Sequence, residues 1–506
     1  MKRKWRLIVP AVLLAAVMVT APLAAQGLRD LESKVVMKTL PNGLKVILLP
    51  RHDSPVMSMV TYADVGGVDE NQNATGLAHI FEHMAFKGTT TIGTTDYKNE
   101  KLALARVDKA FLALRAERLR RPHPDSEKIK VLEARLKTAQ DEAEKFVVPN
   151  EFTRILKAQG AQGINAFTTQ DQTVYHYSLP SNRLELWAML VSDRFSHPVL
   201  REFYKEKDVI MEEKRMGENN PVQRLLIDFM PVAFKASMYR SFVIGWMSDL
   251  QNISRQDAEN WFAKYYRAKN LTCVVVGDID PRTAMPILEK YLSRIPAGTK
   301  PGPVITREPV QREEKRLIME DPSQPFLVIG YHRPDVNDPD DVVYDVINDL
   351  MGNGPSSRLN KSLVKDKKLA LAAGSISNLQ QKYPGLFLFF AVPNQGKTNA
   401  ECENAIYEEL NKLKTVPVSK EELDGVKARK KAEFIDQAES NMGLALRLAF
   451  NENLTGDWRN TFNLLERIDK VTPEDIMRVA NKTFKRSNRT VGMIETTSGK
   501  DRKGGK

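Results

Sequence analysis

The sequence predicts an α+β protein of two homologous domains, each an antiparallel sheet packed with helices, with a helical hairpin inserted into the first. Three observations carry that reading. The segment opening Ile253-Ser254-Arg255-Gln256-Asp257 returns as Val471-Thr472-Pro473-Glu474-Asp475, and at the same offset Lys264 meets Lys482 and Asn270 meets Asn488. Each copy opens with a hydroxyl residue and an Asp three positions later, a helix-capping pattern, and runs on into a strand. Strand-like alternation bounded by Gly, Pro and Asn recurs in both halves. The stretch 97–148 stands apart, being alanine-rich, heavily charged and helical in period. A chain of 506 residues is also too long for one core.

In chain order, Met1 to Gln26 reads as an export signal. Lys2, Arg3, Lys4 and Arg6 precede an apolar run from Leu7 to Val19, and small residues follow at Ala21, Ala24 and Ala25. The run is marginal for a spanning helix, so the expectation is a periplasmic or secreted protein with no stable membrane span after cleavage. The expected first domain covers 33–295. Val36 to Leu49 forms a strand hairpin turning at Pro41-Asn42-Gly43, and Val56 to Val65 a further strand. Tyr97 to Arg121 and Asp125 to Val147 are two helices split by Pro122-His123-Pro124, with an apolar seam of Leu104, Phe111, Leu132 and Leu136. The pattern implies a hairpin standing off the body, either a solvated spacer or a partner-binding arm. Glu151 to Gly160 is a short helix, Ile164–Thr169 and Thr173–Tyr177 are strands, and Ser181 caps the next helix. Phe203 to Glu218 is a glutamate-rich helix. Residues 296–312 form a Pro/Gly-rich linker to the second domain, 313–497, and 498–506 form a basic tail.

Two cysteines, Cys273 and Cys402, cannot supply a disulfide framework. The net charge of +11 resides in the leader, the 97–148 segment and the tail, which leaves the body near neutral. That distribution argues against a nucleic-acid-binding protein, which would need a basic face on the body.

The chemistry centres on Gly76-Leu77-Ala78-His79-Ile80-Phe81-Glu82-His83-Met84. On a helix His79 and His83 stand one turn apart on one face, with Glu82 beside them. Two imidazoles flanked by a carboxylate suit a zinc ion whose bound water the carboxylate deprotonates, and H-x-x-E-H is the inverted zinc-hydrolase spacing. His52, His123, His197 and His332 lie outside this pattern and read as solvated or hydrogen-bonded histidines. A third ligand is to be sought in the helix from Phe203 to Glu218, where Glu206 and Glu213 lie two turns apart on one face.

These residues resemble the pitrilysin/insulinase-type zinc metallopeptidases, and more narrowly the zinc-carrying subunit of their heterodimeric, processing-peptidase-like branch. The resemblance implies one zinc per chain, held by His79, His83 and Glu213. Glu82 and Glu206 are then the catalytic carboxylates, Glu82 as base and Glu206 supporting the site; Glu202, Glu212 and Glu218 are left solvated, Glu212 being the chief competitor for the ligand position. Asn165 and Ala166 would lie on the strand that receives a peptide substrate. The family interval between the second His and the ligand Glu is restored only when 97–148 is treated as an insertion. The second half offers no histidine at the equivalent helix and carries Ser356-Ser357-Arg358-Leu359, similar to a family turn. Aligned from it, an Arg/Tyr pair that active members use to hold the substrate backbone falls on Val364 and Leu371. The implied remedy is a homologous zinc-free partner subunit supplying that pair, with Arg358 as the substitute within this chain. A non-catalytic scaffold of the same fold and a zinc hydrolase of non-peptide substrates are the alternatives.

Overall fold

The computed structural model describes residues 27, 29–377, 379 and 381–497; the leader and the basic tail lie outside the described residues. The first sheet has six strands: β1 (Val36–Thr39), β2 (Lys45–Pro50), β3 (Val56–Ala63), β4 (Gln162–Thr168), β5 (Thr173–Pro180) and β6 (Leu271–Gly277), in the order β1-β2-β6-β3-β5-β4. The second has five: β7 (Lys315–Asp321), β8 (Phe326–Arg333), β9 (Ala370–Ile376), β10 (Gly385–Pro393) and β11 (Arg489–Thr496), in the order β7-β11-β8-β10-β9. Apart from β1, the two orders superpose strand for strand.

The repeated segment is the key to both sheets. Ser254 and Thr472 each cap a helix, and Asp257 and Asp475 each close a capping box. The helices run into β6 and β11, where Asn270 and Asn488 each bond a carbonyl five residues back, on Tyr265 and Thr483. In both halves the returning strand inserts between two strands consecutive in sequence, β2 and β3 in the first and β7 and β8 in the second. A strand placed between antiparallel neighbours must be parallel to one of them. Hence β6 is parallel to β2 and antiparallel to β3, and β11 is parallel to β7 and antiparallel to β8. These parallel pairs are the sole departure from antiparallel pairing in the described sheets.

Six helices shape the site and join the halves: α1 (Leu77–Met84), α2 (Tyr97–Arg118), α3 (Ser126–Glu144), α4 (Phe203–Glu218), α5 (Pro221–Ala233) and α6 (Asn441–Leu454). The inner face of the first sheet packs on α1 and its neighbours. Its other face, with Ile47, Leu49, Val60, Tyr62, Val274 and Val276, is covered by α6 from the second half through Leu444, Ala445, Leu448 and Ala449. The converse holds for the second sheet. There α5, from the first half, sets Leu225, Phe229 and Met230 against Val328, Leu386, Leu388 and Ile494. Gly330 and Gly492 admit the Phe229 ring, since a Cβ on Gly492 would stand 2.7 Å from it. Each half thus closes the other's core, and apolar burial joins them.

The hairpin departs from expectation. The two helices pair, but they do not stand off the body. Ala103, Leu104, Val107 and Phe111 belong to the main core, and Phe111 stacks on Tyr204 of α4 with ring centroids 4.3 Å apart. Glu100 is fully buried and paired with the equally buried Arg201 at 2.8 Å. Asp108 accepts from Tyr204 Oη and from Arg255 Nε. The narrow seam read from the sequence is one edge of a wider apolar stripe, whose remainder faces α4. A smaller difference is at Ser181, which begins a short 3-10 turn ahead of the helix Leu184–Ser196 rather than capping it.

Breaking a buried ion pair from one side leaves an uncompensated charge. Glu100→Ala is therefore expected to lower unfolding stability by about 3–5 kcal/mol, read from denaturant midpoints. Replacing the hairpin tip, residues 112–140, with a short Gly/Ser linker should leave the chain folded with a lowered midpoint, since the bonds of Arg115 to Asn252 and Asp257 and the packing of Leu136 and Ala139 on the core are lost with it.

Candidate metal centre

Helix α1 is anchored by its apolar side. Leu77, Ala78, Ile80, Phe81 and Met84 are buried, and Phe81 lies against the rings of Phe262 and Tyr266. Its N-terminal residue, Gly76, has a left-handed φ of 96° and no side chain to cap the first turn. The buried Glu70 does so instead: its carboxylate accepts from the N–H groups of Gly76 and Ala78, both at 2.8 Å. Thr75 is latched by Asp249, which accepts from its N–H and hydroxyl, and the same hydroxyl accepts from Trp246 N. Gly245 passes so close that a Cβ would stand 2.4 Å from the Thr75 carbonyl oxygen. Helix and functional stripe are thus fixed before any ligand is considered.

On that stripe the two imidazole centroids are 4.8 Å apart at 78°. Helix α4 brings Glu213 Oε2 to 3.9 Å from His79 Nε2 and 4.0 Å from His83 Nε2. Among the described residues this is the one group of three His, Cys, Asp or Glu side chains placed to hold a metal ion, with all ligand atoms within 4.8 Å of one another. Three donors about 2.1 Å from a tetrahedral zinc would stand roughly 3.4 Å apart. The set is therefore slightly open but of the right type and spacing. Glu212 points elsewhere, 62% exposed and paired with Arg215 at 2.9 Å.

Glu206 accepts from His83 Nδ1 at 3.0 Å, which leaves Nε2 facing Glu213. Its other oxygen meets Lys87 Nζ at 2.6 Å. The hydrogen bond to His83, joined by Lys87 and opposed by burial, holds the Glu206 carboxyl down at about 2. Burial, aided by the neighbouring His83, pushes His79 down to about 4, so it is neutral at ordinary pH. For His83 burial acts the same way, but the bond to Glu206 and the charges of Glu206, Glu82 and Glu213 outweigh it and raise its pKa. Burial lifts the Glu82 carboxyl against hydrogen bonding from Thr168 and the charge of His83, as suits a proton acceptor.

Several expectations meet the structure here. Asn165 and Ala166 lie on β4, the edge of the first sheet, paired only with His176 and Tyr175 of β5. Asn165 is exposed, and β4 borders α1. Glu202, read as solvated, is 14% exposed and ion-paired with Lys87 and Lys205. In the second half the helix Asp341–Gly352 carries Asp341, Asp345 and Asp349 on one face, with Asp341 tied to Arg333 and Asp349 to Arg429. Val364 lies in the π-helix Asn360–Asp366 and Leu371 on β9. Arg358 is held by both oxygens of Glu422, at 2.8 and 2.7 Å. Sequence reasoning missed Glu70, Lys87 and Arg201. Lys87 alone left a signal, four residues after His83.

Fold and site together define a two-domain protein with a candidate metal centre, built on the H-x-x-E-H spacing, in its first half. The chain belongs to peptidase family M16. The model described as insulinase (peptidase family M16) matches residues 45–111 and 141–241, and that of the peptidase M16 inactive domain matches 252–430. The first match resumes after passing over only 112–140, the hairpin tip. The chain is 26% identical over 466 residues to a zinc protease, PqqE, of Helicobacter pylori, covering 90% of this chain and 92% of the relative. It is 21% identical to the mitochondrial-processing peptidase subunit beta of Saccharomyces cerevisiae, covering 90% and 89%. The crystal structure of a protease from Helicobacter pylori superposes with a TM-score of 0.76 at 25% identity, over 91% of this chain and 99% of that one.

Burial lifts the Glu70 carboxyl to about 8, against the hydrogen bonds from Ala78 and Gly76. A folded-state pKa above the unfolded one means that ionisation costs stability. The cost is absent below about 4.5 and complete above about 8. Glu70→Gln should therefore gain stability relative to the unaltered chain between pH 5 and pH 8, measured by denaturant midpoints at both. Glu70→Ala, which strands two buried N–H donors, should lose about 2 kcal/mol or more at either pH.

Proposed function

We propose that this chain is a zinc-dependent endopeptidase or oligopeptidase of the bacterial cell envelope, acting on peptides or unfolded polypeptide segments. The observation that carries the reading is the convergence of His79, His83 and Glu213 from two helices, with Glu82 beside them. Bound there, zinc would supply Lewis acidity, lowering the pKa of a water to about 7 and polarising the scissile carbonyl. Glu82 takes the proton of the attacking water and returns it to the leaving amine. Glu206 holds His83 in the tautomer that presents Nε2. The edge strand β4 offers Asn165 and Ala166 to an extended peptide, which adds as a further strand. The leader read from the sequence supports the envelope location.

The positions at which the resemblance expects donors to the substrate backbone do not carry them in this chain. Neither Val364 nor Leu371 can donate through its side chain, and Arg358 is committed to Glu422. We infer that a homologous zinc-free subunit supplies an arginine and tyrosine, an arrangement in keeping with the similarity to a processing-peptidase beta subunit.

The test is cleavage of a mixed peptide library, with zinc content measured alongside. Chelator should abolish cleavage and added zinc restore it. Glu82→Gln should keep stoichiometric zinc and lose hydrolysis, whereas His79→Ala, His83→Ala and Glu213→Ala should lose the metal. Full activity in Glu82→Gln would overturn the assignment.

The chain alone is expected to turn over slowly, by on the order of 100-fold or more, without the missing donors. Co-purification with a homologue lacking H-x-x-E-H should restore the rate. Fast turnover by the isolated chain would remove the need for a partner.

A further inference from the structure

We infer that Lys87 is a positioning residue for the metal centre: it holds Glu206 so that Glu206 holds His83, and this sets zinc affinity. The inference rests on the zinc site proposed above.

Glu206 has two oxygens and two partners. Oε1 lies 3.0 Å from His83 Nδ1, and Oε2 lies 2.6 Å from Lys87 Nζ. A carboxylate held at one oxygen only can rotate about its terminal torsion, which is broad and roughly two-fold. Pinning the second oxygen removes that freedom and keeps the first on Nδ1. Lys87 lies four residues after His83 in the bend just past the end of α1, where its N–H donates to the Met84 carbonyl at 3.1 Å. Glu206 and Lys87 are 18% and 19% exposed, so water competes weakly for either.

Lys87 is itself held from three directions. Its Nζ also meets Glu202 Oε2 at 3.2 Å. Glu202 is shared with Lys205 at 3.2 Å, and Lys205 reaches Glu144 at the end of α3 at 2.5 Å. The Lys87 carbonyl accepts from the buried Arg201 at 2.6 Å. The metal ligand is thus the last member of an ion-pair chain, His83–Glu206–Lys87–Glu202–Lys205–Glu144, that starts on the hairpin. Groups that orient a metal-bound histidine typically affect affinity by 10–100-fold when removed.

The sign of the effect separates this role from its rivals. A lysine near a dication repels it, so a bystander Lys87 would weaken zinc binding and its removal would tighten it. A positioning Lys87 does the opposite. The experiment measures the zinc dissociation constant of the full chain by competition with a chromophoric chelator, together with the melting temperature of the metal-free form. Lys87→Met should raise the constant by about 10-fold or more. Lys87→Arg, which keeps charge and donors, should stay within about 3-fold of the unaltered chain, while the metal-free melting temperatures of the two variants remain alike. An unchanged or lower constant in Lys87→Met would overturn the inference. So would a raised constant shared equally by Lys87→Arg. Failure of the unaltered chain to bind zinc at all would overturn the proposed function instead, which keeps the two outcomes apart.

Discussion

One buried guanidinium ties together the elements on which the site depends. Arg201, 1% exposed, donates to the carbonyls of Lys87, Thr89 and Ile92 and to the carboxylate of Glu100. The carbonyls belong to the chain leaving α1, the carboxylate to α2, and Arg201 lies just ahead of α4. The helix bearing His79 and His83 and the helix bearing Glu213 come from distant parts of the sequence and must agree to within fractions of an ångström to share an ion. A charge taken out of water is costly unless fully bonded, and this one is. The geometry that satisfies Arg201 leaves the three elements little freedom to slide. That also explains why the first part of the hairpin cannot be an appendage: Glu100 is the counter-charge.

How far the sequence discloses this structure depends on whether the signal is local. The metal stripe on α1 is local, since His79, Glu82 and His83 lie within one helical turn and period alone puts them on one face. The capping boxes at Ser254 and Thr472 are local too, and they mark the repeat. The insertion of β6 and β11 between earlier strands is not local, and sequence gives no pairing order, so the parallel ladders are not legible in it. Nor is the environment of α2. Leu104 and Phe111 show an apolar seam, but only the fold reveals that Ala103, Val107 and Glu100 continue it against α4. A glutamate in a charged helix reads as solvated until an arginine about a hundred residues away claims it. Glu202 misleads for the same reason, its partner Lys87 lying far off in sequence.

The exchange of α5 and α6 gives the second half a structural reason to persist without imidazoles. If each half covered its own sheet, a copy without metal ligands could be lost with little cost to the other. Here removing the second half would expose Ile47, Leu49, Val60, Val274 and Val276 on the first sheet. Burial of that face is worth on the order of 25 cal/mol per Å² of apolar surface. The aspartates on Asp341–Gly352, neutralised by Arg333 and Arg429, show the corresponding helix put to a different use. Its polar stripe is spent inside the domain on ion pairs and is not offered to a ligand.

The two imidazoles are prepared differently, and the difference bears on what the site attracts. His79 sits where burial dominates, and its Nδ1 has no hydrogen-bond partner among the described residues, so no hydrogen bond at that atom offsets the burial. His83 faces Glu206 directly and Glu82 and Glu213 by charge, and these together overcome burial. Three carboxylates around one ring create a negative potential that any cation relieves. Without a metal, a proton on His83 relieves it in part. A dication between His79, His83 and Glu213 would relieve it further, because it carries two charges and meets the Glu213 carboxylate directly while His79 is already neutral. The field that raises the proton affinity of His83 is thus the field that favours a divalent ion. Lys87 is bonded to the second oxygen of Glu206 and to Glu202, neither of which is among the three ligand residues.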